Sequence, residues 1–298
     1  MAQIQAQMQA PWQYTASPAM DDAQFQQWVT LLESRTGITL PASRKTFLVT
    51  NLNMRMRELG VSDYQRYYDM VTDGARGQIE WETLVDKLTV HETRFYRDAH
   101  ALDLIREHYL EPLLAETRTR AYTVHAWSVG CATGEEPYSL AMMMEHLFGQ
   151  DDTLYYGVTA SDVSRAALKT GRDGIYHVRR VKNVPADIAS RYLSAIDNEH
   201  VQVKEALRHK VCFTHINLLD LATQPVGEMD IILCQNVLIY FKHEMRDRIL
   251  MQLVTKLKPN GLLVLGAGEV FSWTHPQLET IKHESTLAFR RLPARGTH

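Results

Sequence analysis

The alternation of strands and helices in the second half of the chain is the feature that most restricts its fold. From about Tyr122 onward, short apolar runs that end in glycine-containing turns alternate with amphipathic helical stretches. This alternation predicts a mainly parallel sheet with helices on both faces, because neighbouring parallel strands need a crossover connection. The last two apolar runs, "GLLVLGAGE" and "STLAFRRL", have no helical stretch between them long enough for such a crossover. We therefore expect them to pair antiparallel at one edge of the sheet.

The first third of the chain has a different pattern. Residues 21–88 show helical spacing of apolar residues throughout, interrupted at "TGITLPAS" and "ELGVSD". Ser43 is expected to cap a helix that begins at Arg44, Gly60 to end that helix, and Ser62 to begin the next one. An all-helical domain therefore precedes the sheet domain.

The length of 298 residues is enough for two domains with separate cores. An inserted β-subdomain is also predicted, because the two halves of "VQVKEALRHKVCFTHI" alternate apolar and polar residues around a short polar turn, as an antiparallel hairpin does. The predicted segments are a disordered tail at 1–20, a helical domain at 21–90, a linker with a loop over the site at 91–121, a sheet domain at 122–292 and, within it, the β-subdomain at 172–216.

The composition excludes several classes of protein. A net charge of −3 and a pI of about 6.5 give no overall field toward nucleic acid or an anionic membrane. The apolar runs are shorter than the roughly twenty residues that cross a bilayer, and the first residues lack the pattern of a secretory signal. Cys131, Cys212 and Cys234 have no metal-ligand spacing and suggest a reducing compartment. We expect a cytoplasmic protein without membrane insertion and without a metal.

A glycine-containing turn between a strand and a helix indicates a ligand site. In "WSVGCATGEEPYSLAMMM", Gly130 and Gly134 lie where glycine lets a ligand approach the backbone. Glu135 and Glu136 follow at the helix N-terminus, where a pyrophosphate would otherwise bind. Two carboxylates there would repel an anionic cofactor and attract a cationic one, so S-adenosylmethionine fits better than NAD or ATP. The alternative is that these glutamates only favour the N-terminus of the helix.

Polar residues follow two further predicted strands at the same edge of the sheet. Asp162 ends "TASD", a position from which an acid commonly accepts hydrogen bonds from ribose hydroxyls, although it could also serve only as a helix cap. Asn236 and Tyr240, in "CQNVLIYF", follow another strand and are expected near the reacting group. The absence of an N/D-P-P-Y/F tetrapeptide there argues against methylation of a nucleobase amino group.

The stretch "HETRFYRD", residues 91–98, places two adjacent aromatic residues beside two arginines. Phe95 and Tyr96 suit a loop packed over a site more than the interior of a helix. A lone arginine such as Arg97 would ordinarily lie on a solvated helix face. We expect the loop to form one wall of the site.

The helix "RKTFLVTNLNMRMRELG" carries arginines on the side opposite its apolar stripe. Arg57 lies there with Phe47 and Met54 nearby, and Arg44 and Arg55 flank it. Apolar residues among arginines suggest a docking surface for an acidic helix. The alternative is an ordinary solvated basic face.

Together these motifs resemble those of the chemotaxis receptor methyltransferases, the CheR family. The resemblance extends from Asp21 to Leu292 and is most specific in "TGEEPYSLA" and "NVLIYF". It implies a Rossmann-like class I S-adenosylmethionine-dependent methyltransferase domain with a small inserted antiparallel β-subdomain, preceded by an all-α N-terminal domain. It also implies a protein-glutamate O-methyltransferase that modifies specific glutamates of chemoreceptors.

The resemblance assigns roles to individual residues of this chain. Arg97 and Tyr240 would be catalytic, with Tyr240 near the methyl group. Glu136 would bind the methionine amine of S-adenosylmethionine, and Asp162 would bind its ribose. The other residues that would bind this donor, or its product S-adenosylhomocysteine, are Thr93, Arg97, Gly130, Asn217, Leu218, Asn236 and Val237.

The resemblance also implies a partner. The basic helix, through Lys45, Arg55 and Arg57, would dock a monomer of this protein on the cytoplasmic helical bundle of a chemoreceptor. We do not expect binding of a C-terminal receptor pentapeptide, because the loop "SAIDNEH" is short and lacks glycine. The alternatives are a class I methyltransferase with another acceptor and a non-catalytic adaptor that binds S-adenosylmethionine.

Overall fold

The computed structural model describes residues 19–116, 121–149, 151, 153–270, 272–283 and 286–293. The tail predicted at residues 1–20 lies outside the described residues except for residues 19 and 20, and Met20 is buried against the helical domain. Among the described helices, none has both the length and the apolar character that crossing a bilayer requires.

The N-terminal domain is helical, as predicted. Its helices are α1 at Asp22–Thr36, α2 at Lys45–Glu58, α3 at Tyr64–Thr72 and α4 at Gly74–Leu88. Trp28, Leu48, Leu52 and Tyr67 are almost completely buried where these helices meet. Burial of such a side chain contributes about 1.5–3 kcal/mol, so tertiary packing stabilises these short helices more than their intrinsic propensity does.

The start of α2 differs from the prediction, whereas its end agrees. Ser43 lies within a 3₁₀ turn, Ala42–Arg44, and α2 begins at Lys45 without a side-chain cap. The prediction that Ser43 caps this helix was therefore wrong. Gly60 follows the helix with φ +68°, the left-handed conformation expected of a residue that ends a helix.

The caps of α1 and α3 are both aspartates. Asp21 accepts the Gln24 N–H at 2.7 Å, and the Gln24 side chain accepts the Asp21 N–H in return. Asp63 caps α3 by accepting the Arg66 N–H at 2.8 Å. Ser62 was predicted to begin this helix, two residues before its actual start at Tyr64, and the aspartate next to Ser62 makes the capping bond.

The segment between the domains is mostly helical. It contains α5 at Ala99–Ile105, a π-helical turn at Arg106–Leu110 and α6 at Glu111–Glu116. Leu104 and Leu110 are fully buried against the sheet domain. The loop before α5 is consequently fixed to the sheet through the helix that follows it.

The second domain is built on a large mixed sheet. The strands are β1 at Tyr122–Val129, β2 at Leu154–Asp162, β3 at Ile175–His177, β4 at Leu193–Ala195, β5 at His200–Val203, β6 at Val211–His215, β7 at Met229–Cys234, β8 at Leu257–Leu265, β9 at Leu278–Lys282 and β10 at Leu287–Arg291. The main sheet has the order β6-β2-β1-β7-β8-β10-β9, in which β10 is antiparallel to β8 and β9 and the other pairs are parallel. The predicted parallel sheet with an antiparallel edge is confirmed, and β9 is an additional strand.

Helices cover both faces of the main sheet. They are α7 at Glu135–Phe148, α8 at Arg165–Asp173, α9 at Ala186–Tyr192, α10 at Glu205–Arg208 and α11 at His243–Lys256. Val124 and Ala126 of β1 pack with the apolar residues of α7, whereas Trp127 and Val129 pack with those of α11. This alternation along one strand is the period-two pattern of a sheet buried on both faces.

The inserted β-subdomain differs from the predicted hairpin. The "VQV" run belongs to β5, which pairs antiparallel with β3 and β4 in a separate three-stranded sheet. The "VCFTH" run is β6, which pairs in parallel with β2 at the edge of the main sheet. The polar residues between them form α10, with Leu207 buried, instead of a tight turn. The hairpin prediction was therefore wrong, although a small antiparallel sheet is present.

Candidate active site

The turn after β1 is at the centre of the site. Gly130 has φ +66° and Gly134 has φ +98°, a region that other residues enter only with strain. A Cβ on Gly130 would lie 2.4 Å from Val237 Cγ2, and one on Gly134 would lie 2.9 Å from Phe213 Cζ. The conformation and the close packing of this turn therefore require both glycines.

Two adjoining cavities lie at the carboxyl ends of β1, β2 and β7. Their volumes are about 190 Å³ and 600 Å³, and both border Gly130, Asn236 and Tyr240. The predicted site residues on the smaller cavity are Thr93, Arg97, Gly130, Glu136, Asn236 and Tyr240. Those on the larger cavity are Gly130, Asp162, Asn217, Leu218, Asn236, Val237 and Tyr240. The structure thus brings all the predicted cofactor-binding residues to this pair of cavities.

Glu136 borders the smaller cavity, and its surroundings do little to stabilise the negative charge of its carboxylate. Its Oε1 accepts a hydrogen bond from Ser128 Oγ at 2.6 Å. Burial, with smaller contributions from the negative charges of Glu269 and Asp98, raises the pKa of Glu136 to about 7, although Ser128 and Arg97 oppose the shift. A bound cation would relieve this raised energy of the ionised form. The site therefore suits a positively charged ligand group next to Glu136.

Asp162 shapes the turn as well as bordering the larger cavity. Its Oδ2 accepts the Ala132 N–H at 2.9 Å, and its Oδ1 accepts the Ser164 N–H at 2.8 Å. Burial raises the pKa of Asp162, and these two backbone hydrogen bonds oppose that shift. The cap of α8 is Ser164, whose Oγ accepts the Ala167 N–H at 3.0 Å, so Asp162 itself is not the cap.

The loop of residues 91–98 packs over the site, as predicted. Phe95 is fully buried and its ring meets the Tyr176 ring edge-on at 4.9 Å. Arg180, in the β-subdomain, donates to the Thr93 carbonyl and forms an ion pair of 3.2 Å with buried Glu135. Glu135, the first glutamate after the turn, therefore anchors the loop, whereas Glu136 borders the cavity.

Arg97 and Tyr240 lie on the same small cavity. Arg97 is exposed, and its Nη1 donates to the Glu92 carbonyl at 2.7 Å. Burial raises the pKa of the Tyr240 phenol, while the positive charges of Arg44 and Arg97 oppose the shift. The phenol is therefore protonated at neutral pH, and a guanidinium lies within electrostatic reach of it.

The N-terminal domain forms one wall of the larger cavity, which the sequence did not predict. Thr39 donates to the Tyr240 carbonyl through its N–H at 2.8 Å and its Oγ1 at 3.0 Å. Ile38 forms an isolated antiparallel bridge with Phe241. Asn217 donates to the Arg35 carbonyl at 2.7 Å. The connection between α1 and α2 is therefore part of the site.

Glu269 also supports the site, and the sequence did not predict it. It is 1% exposed, and its carboxylate accepts the Leu238 N–H at 3.1 Å and the Gly266 N–H at 2.8 Å. Burial raises its pKa, whereas backbone N–H groups of the loop after β7, including those of Asn236 and Val237, oppose the shift. Glu269 therefore fixes the loop that carries Asn236. The glycine-rich "GAGE" after a predicted strand was the only indication in the sequence.

Two of the predicted docking residues, Arg55 and Arg57, differ in their exposure to solvent. Arg55 bonds to Glu80 through Nε at 2.8 Å and Nη2 at 2.7 Å, and to Glu58 through Nη1 at 2.7 Å. Tyr67 adds a bond to Glu80 at 2.7 Å. Arg55 thus belongs to an internal network between α2 and α4, because helix packing brings the Glu80 carboxylate to it. Arg57, by contrast, is exposed.

Lys45, the third predicted docking residue, pairs with Asp22 at 2.7 Å on the surface.

Cys131, Cys212 and Cys234 are free thiols. No group of three or more potential metal ligands occurs among the described residues.

Comparison with known proteins gives the family of this chain. The family model "CheR methyltransferase, all-alpha domain" matches residues 23–89, and "CheR methyltransferase, SAM binding domain" matches residues 91–287. Chemotaxis protein methyltransferases of Salmonella typhimurium and Escherichia coli are each 34% identical over 87% of this chain and 88% of their own. Chemotaxis protein methyltransferase 2 of Pseudomonas aeruginosa is 33% identical over 83% of this chain and 86% of its own. The chain therefore belongs to the CheR methyltransferase family, with an all-α domain followed by an S-adenosylmethionine-binding domain.

Proposed function

We propose that this protein transfers a methyl group from S-adenosylmethionine to specific glutamate side chains of chemoreceptors in the cytoplasm. The products would be a glutamate methyl ester and S-adenosylhomocysteine. The observation that carries this proposal is that the carboxylate of Glu136 and the guanidinium of Arg97 border one small cavity. The carboxylate suits a cationic donor, and the guanidinium suits an anionic acceptor.

The residues of the two cavities fit the donor. Bound S-adenosylmethionine would supply an electrophilic methyl group on a positively charged sulfur. Glu136 would hold its ammonium group in the smaller cavity. Asp162 would bind the ribose in the larger cavity, since a carboxylate has about four acceptor positions and Asp162 uses one on each oxygen for the backbone. Asn217, Leu218, Asn236 and Val237 would surround the adenosine.

The acceptor needs no general base. A glutamate side chain has a pKa near 4.3 in its reference state, so it is already ionised at neutral pH. One of its oxygens forms the new bond to the methyl carbon as the carbon–sulfur bond breaks, and the bonding pair goes to sulfur. The negative and positive charges cancel, and no proton moves. Tyr240 stays protonated, as its raised pKa requires.

Arg97 is the residue that would orient the acceptor. A guanidinium has five N–H donors in a planar fork, and the bond to the Glu92 carbonyl uses one of them. The remaining donors suit a paired hydrogen bond to a carboxylate. Binding the acceptor too strongly would stabilise the ground state and slow transfer, so Arg97 would position the carboxylate more than activate it. Positioning of this kind contributes several kcal/mol to catalysis.

The mouth of the smaller cavity has the character of a docking surface. Val90 and Ile239 expose apolar side chains there, at 39% and 48%, and Arg44 and Arg94 border the same cavity. An acidic amphipathic helix would match this combination of apolar and basic residues. We propose that the helical bundle of a chemoreceptor docks across this mouth and along α2, with Lys45 and Arg57 at its periphery and Arg55 stabilising α2 from inside.

The direct test is transfer of a labelled methyl group. The purified protein would be incubated with a panel of chemoreceptor cytoplasmic fragments and, separately, with total RNA. We expect label in receptor fragments that is released as methanol by mild base, and its loss when the acceptor glutamates are replaced by alanine. Label in RNA, or base-stable label in receptor, would contradict the proposed acceptor.

Docking has a separate test. Lys45→Glu combined with Arg57→Glu should raise the apparent KM for receptor without changing the affinity for S-adenosylhomocysteine, since neither residue borders the two cavities. Arg66→Glu, an exposed arginine on α3, is the matched control. An unchanged KM in the double variant would exclude docking along α2.

A further inference from the structure

A second carboxylate, Asp98, borders the smaller cavity beside Glu136. Two different elements fix its position. Its Oδ1 accepts the Ala101 N–H of α5 at 3.1 Å, and its Oδ2 accepts the Gln235 Nε2 amide of the β7 loop at 2.8 Å. The carboxylate is therefore placed in the cavity wall from both sides.

The charge of Asp98 is not neutralised by its partners. Both groups that donate to it, a backbone amide and the Gln235 side chain, are uncharged. Its negative charge reaches Glu136, since it is one of the causes that raise the pKa of that carboxyl. Within the described residues, no lysine or arginine forms an ion pair with either carboxylate. Asp98 and Glu136 are thus two of the three acidic residues in the wall of the smaller cavity, the third being Glu92. Arg44, Arg94 and Arg97 line the same cavity.

We infer that Asp98 is a second ligand for the α-ammonium group of the donor, and that Gln235 is the residue that positions it. The inference rests on the proposed function, in which this ammonium occupies the smaller cavity. An ammonium group has three N–H donors and no acceptor, so Glu136 alone would leave donors to be satisfied elsewhere. Asp98 retains acceptor positions beyond the two hydrogen bonds that fix it. Gln235 keeps the carboxylate in place without cancelling its charge.

Asp98 also caps α5, and the test must separate the two roles. Asparagine caps helices about as well as aspartate does. The Asp98→Asn variant therefore keeps the cap and removes the negative charge, and Gln235 can turn its amide oxygen toward the new Nδ2 group. The exposed Asp103→Asn, on the same helix and bonded to Arg106 at 3.3 Å, is the matched control.

The experiment is calorimetric titration of the full chain with two ligands. S-adenosylhomocysteine carries the α-ammonium group, whereas 5′-methylthioadenosine has the same nucleoside and sulfur without the amino acid. We expect Asp98→Asn to weaken S-adenosylhomocysteine about 10- to 100-fold, as for loss of a charge-assisted hydrogen bond, and to leave 5′-methylthioadenosine unchanged. Asp103→Asn should change neither affinity.

Gln235→Leu supplies a second, independent variant. It retains the charge of Asp98 but removes the bond that positions it, so we expect a smaller, several-fold loss that is again confined to S-adenosylhomocysteine. Equal losses for both ligands, or wild-type affinity for S-adenosylhomocysteine in Asp98→Asn, would overturn the inference. If the unchanged protein bound neither ligand, the proposed function itself would fall, and the role of Asp98 with it.

Discussion

A carboxylate lies at each end of the parallel strands, and the two carboxylates have opposite surroundings. At the edge where the strands begin, Asp230 is fully buried and accepts hydrogen bonds from the hydroxyls of Tyr109 and Tyr122, the His125 N–H and the Lys258 ammonium, at 2.5 to 2.8 Å. At the edge where the strands end, Glu136 accepts a hydrogen bond from Ser128. A cation of the protein completes the first site, whereas the second borders a cavity.

The difference indicates what each carboxylate does. A buried carboxylate with a cation and several donors stabilises the fold, because breaking such a set is costly. A buried carboxylate without a cation has a raised pKa and destabilises the free protein when it ionises. Such an arrangement is useful where a ligand supplies the missing charge. The comparison therefore supports a structural role for Asp230 and the proposed binding role for Glu136.

The largest expected effect separates the proposed roles of two cations, Arg97 where the strands end and Lys258 where they begin. Arg97→Ala should lower methyl transfer about 10²- to 10³-fold, because the acceptor carboxylate loses its orienting group. The affinity for S-adenosylhomocysteine should fall much less, although Arg97 also borders the donor cavity. Lys258→Ala should lower stability and leave transfer per folded molecule unchanged. For both variants, initial rates measure methyl transfer and calorimetry measures the affinity for S-adenosylhomocysteine. Parallel loss of transfer and of donor binding in Arg97→Ala would contradict the division of roles.

The next effect concerns the structural edge. Asp230→Asn should lower the free energy of unfolding by about 3 kcal/mol, since Lys258 and two tyrosine hydroxyls lose an ionised partner. Denaturant unfolding measures this change. The affinity for S-adenosylhomocysteine should not change, because the two edges are separated by the length of the strands. A stability equal to that of the wild type would show that this cluster is not structural.

A smaller effect is expected at the binding edge. Glu136→Gln should weaken S-adenosylhomocysteine about 10- to 100-fold by removing a charge-assisted bond. It should not destabilise the free protein, because glutamine can still accept from Ser128 and cannot ionise. Calorimetry and denaturant unfolding on this one variant test both statements. A clear loss of stability with unchanged affinity would assign Glu136 to the fold.

A further expected effect is a pH dependence of stability. Folding raises the pKa of Glu136 from 4.5 to about 7, so between these values the folded state binds more protons than the unfolded state. The contribution of Glu136 to stability therefore falls as pH rises through this range. The Tm of Glu136→Gln relative to the wild type should increase between pH 5 and pH 8. A difference that is constant with pH would contradict the raised pKa.

Local patterns in the sequence predicted one part of the site well. Gly130, Gly134 and Glu136 lie within seven residues of one another, and their roles follow from a strand, a tight turn and a helix N-terminus in succession. The loop around Phe95 was predicted for a similar reason, since adjacent aromatic residues do not suit a helix with one buried face. These features depend on neighbours in the chain.

Other parts depend on contacts between distant residues. Thr39 bonds to Tyr240 across 201 positions, and Asp98 bonds to Gln235 across 137. No spacing rule predicts such pairs. The same limit explains the wrong hairpin: the alternation in β5 and β6 shows that each is a strand but does not determine its partner. Arg55 was assigned to the surface because helical spacing does not reveal that Glu80 of α4 lies against it.

We propose that a cationic ligand group completes Glu136, a carboxylate with a hydrogen bond from Ser128 but no ion pair among the described residues. The most direct test of this claim is proton release on binding of S-adenosylhomocysteine, measured by calorimetry at pH 6.5 in buffers of different ionisation enthalpy. With a pKa of about 7 in the free protein, binding should release about 0.75 protons at this pH. The release should vanish in Glu136→Gln. Binding by the wild type without proton release, or with the same release in the variant, would contradict the claim.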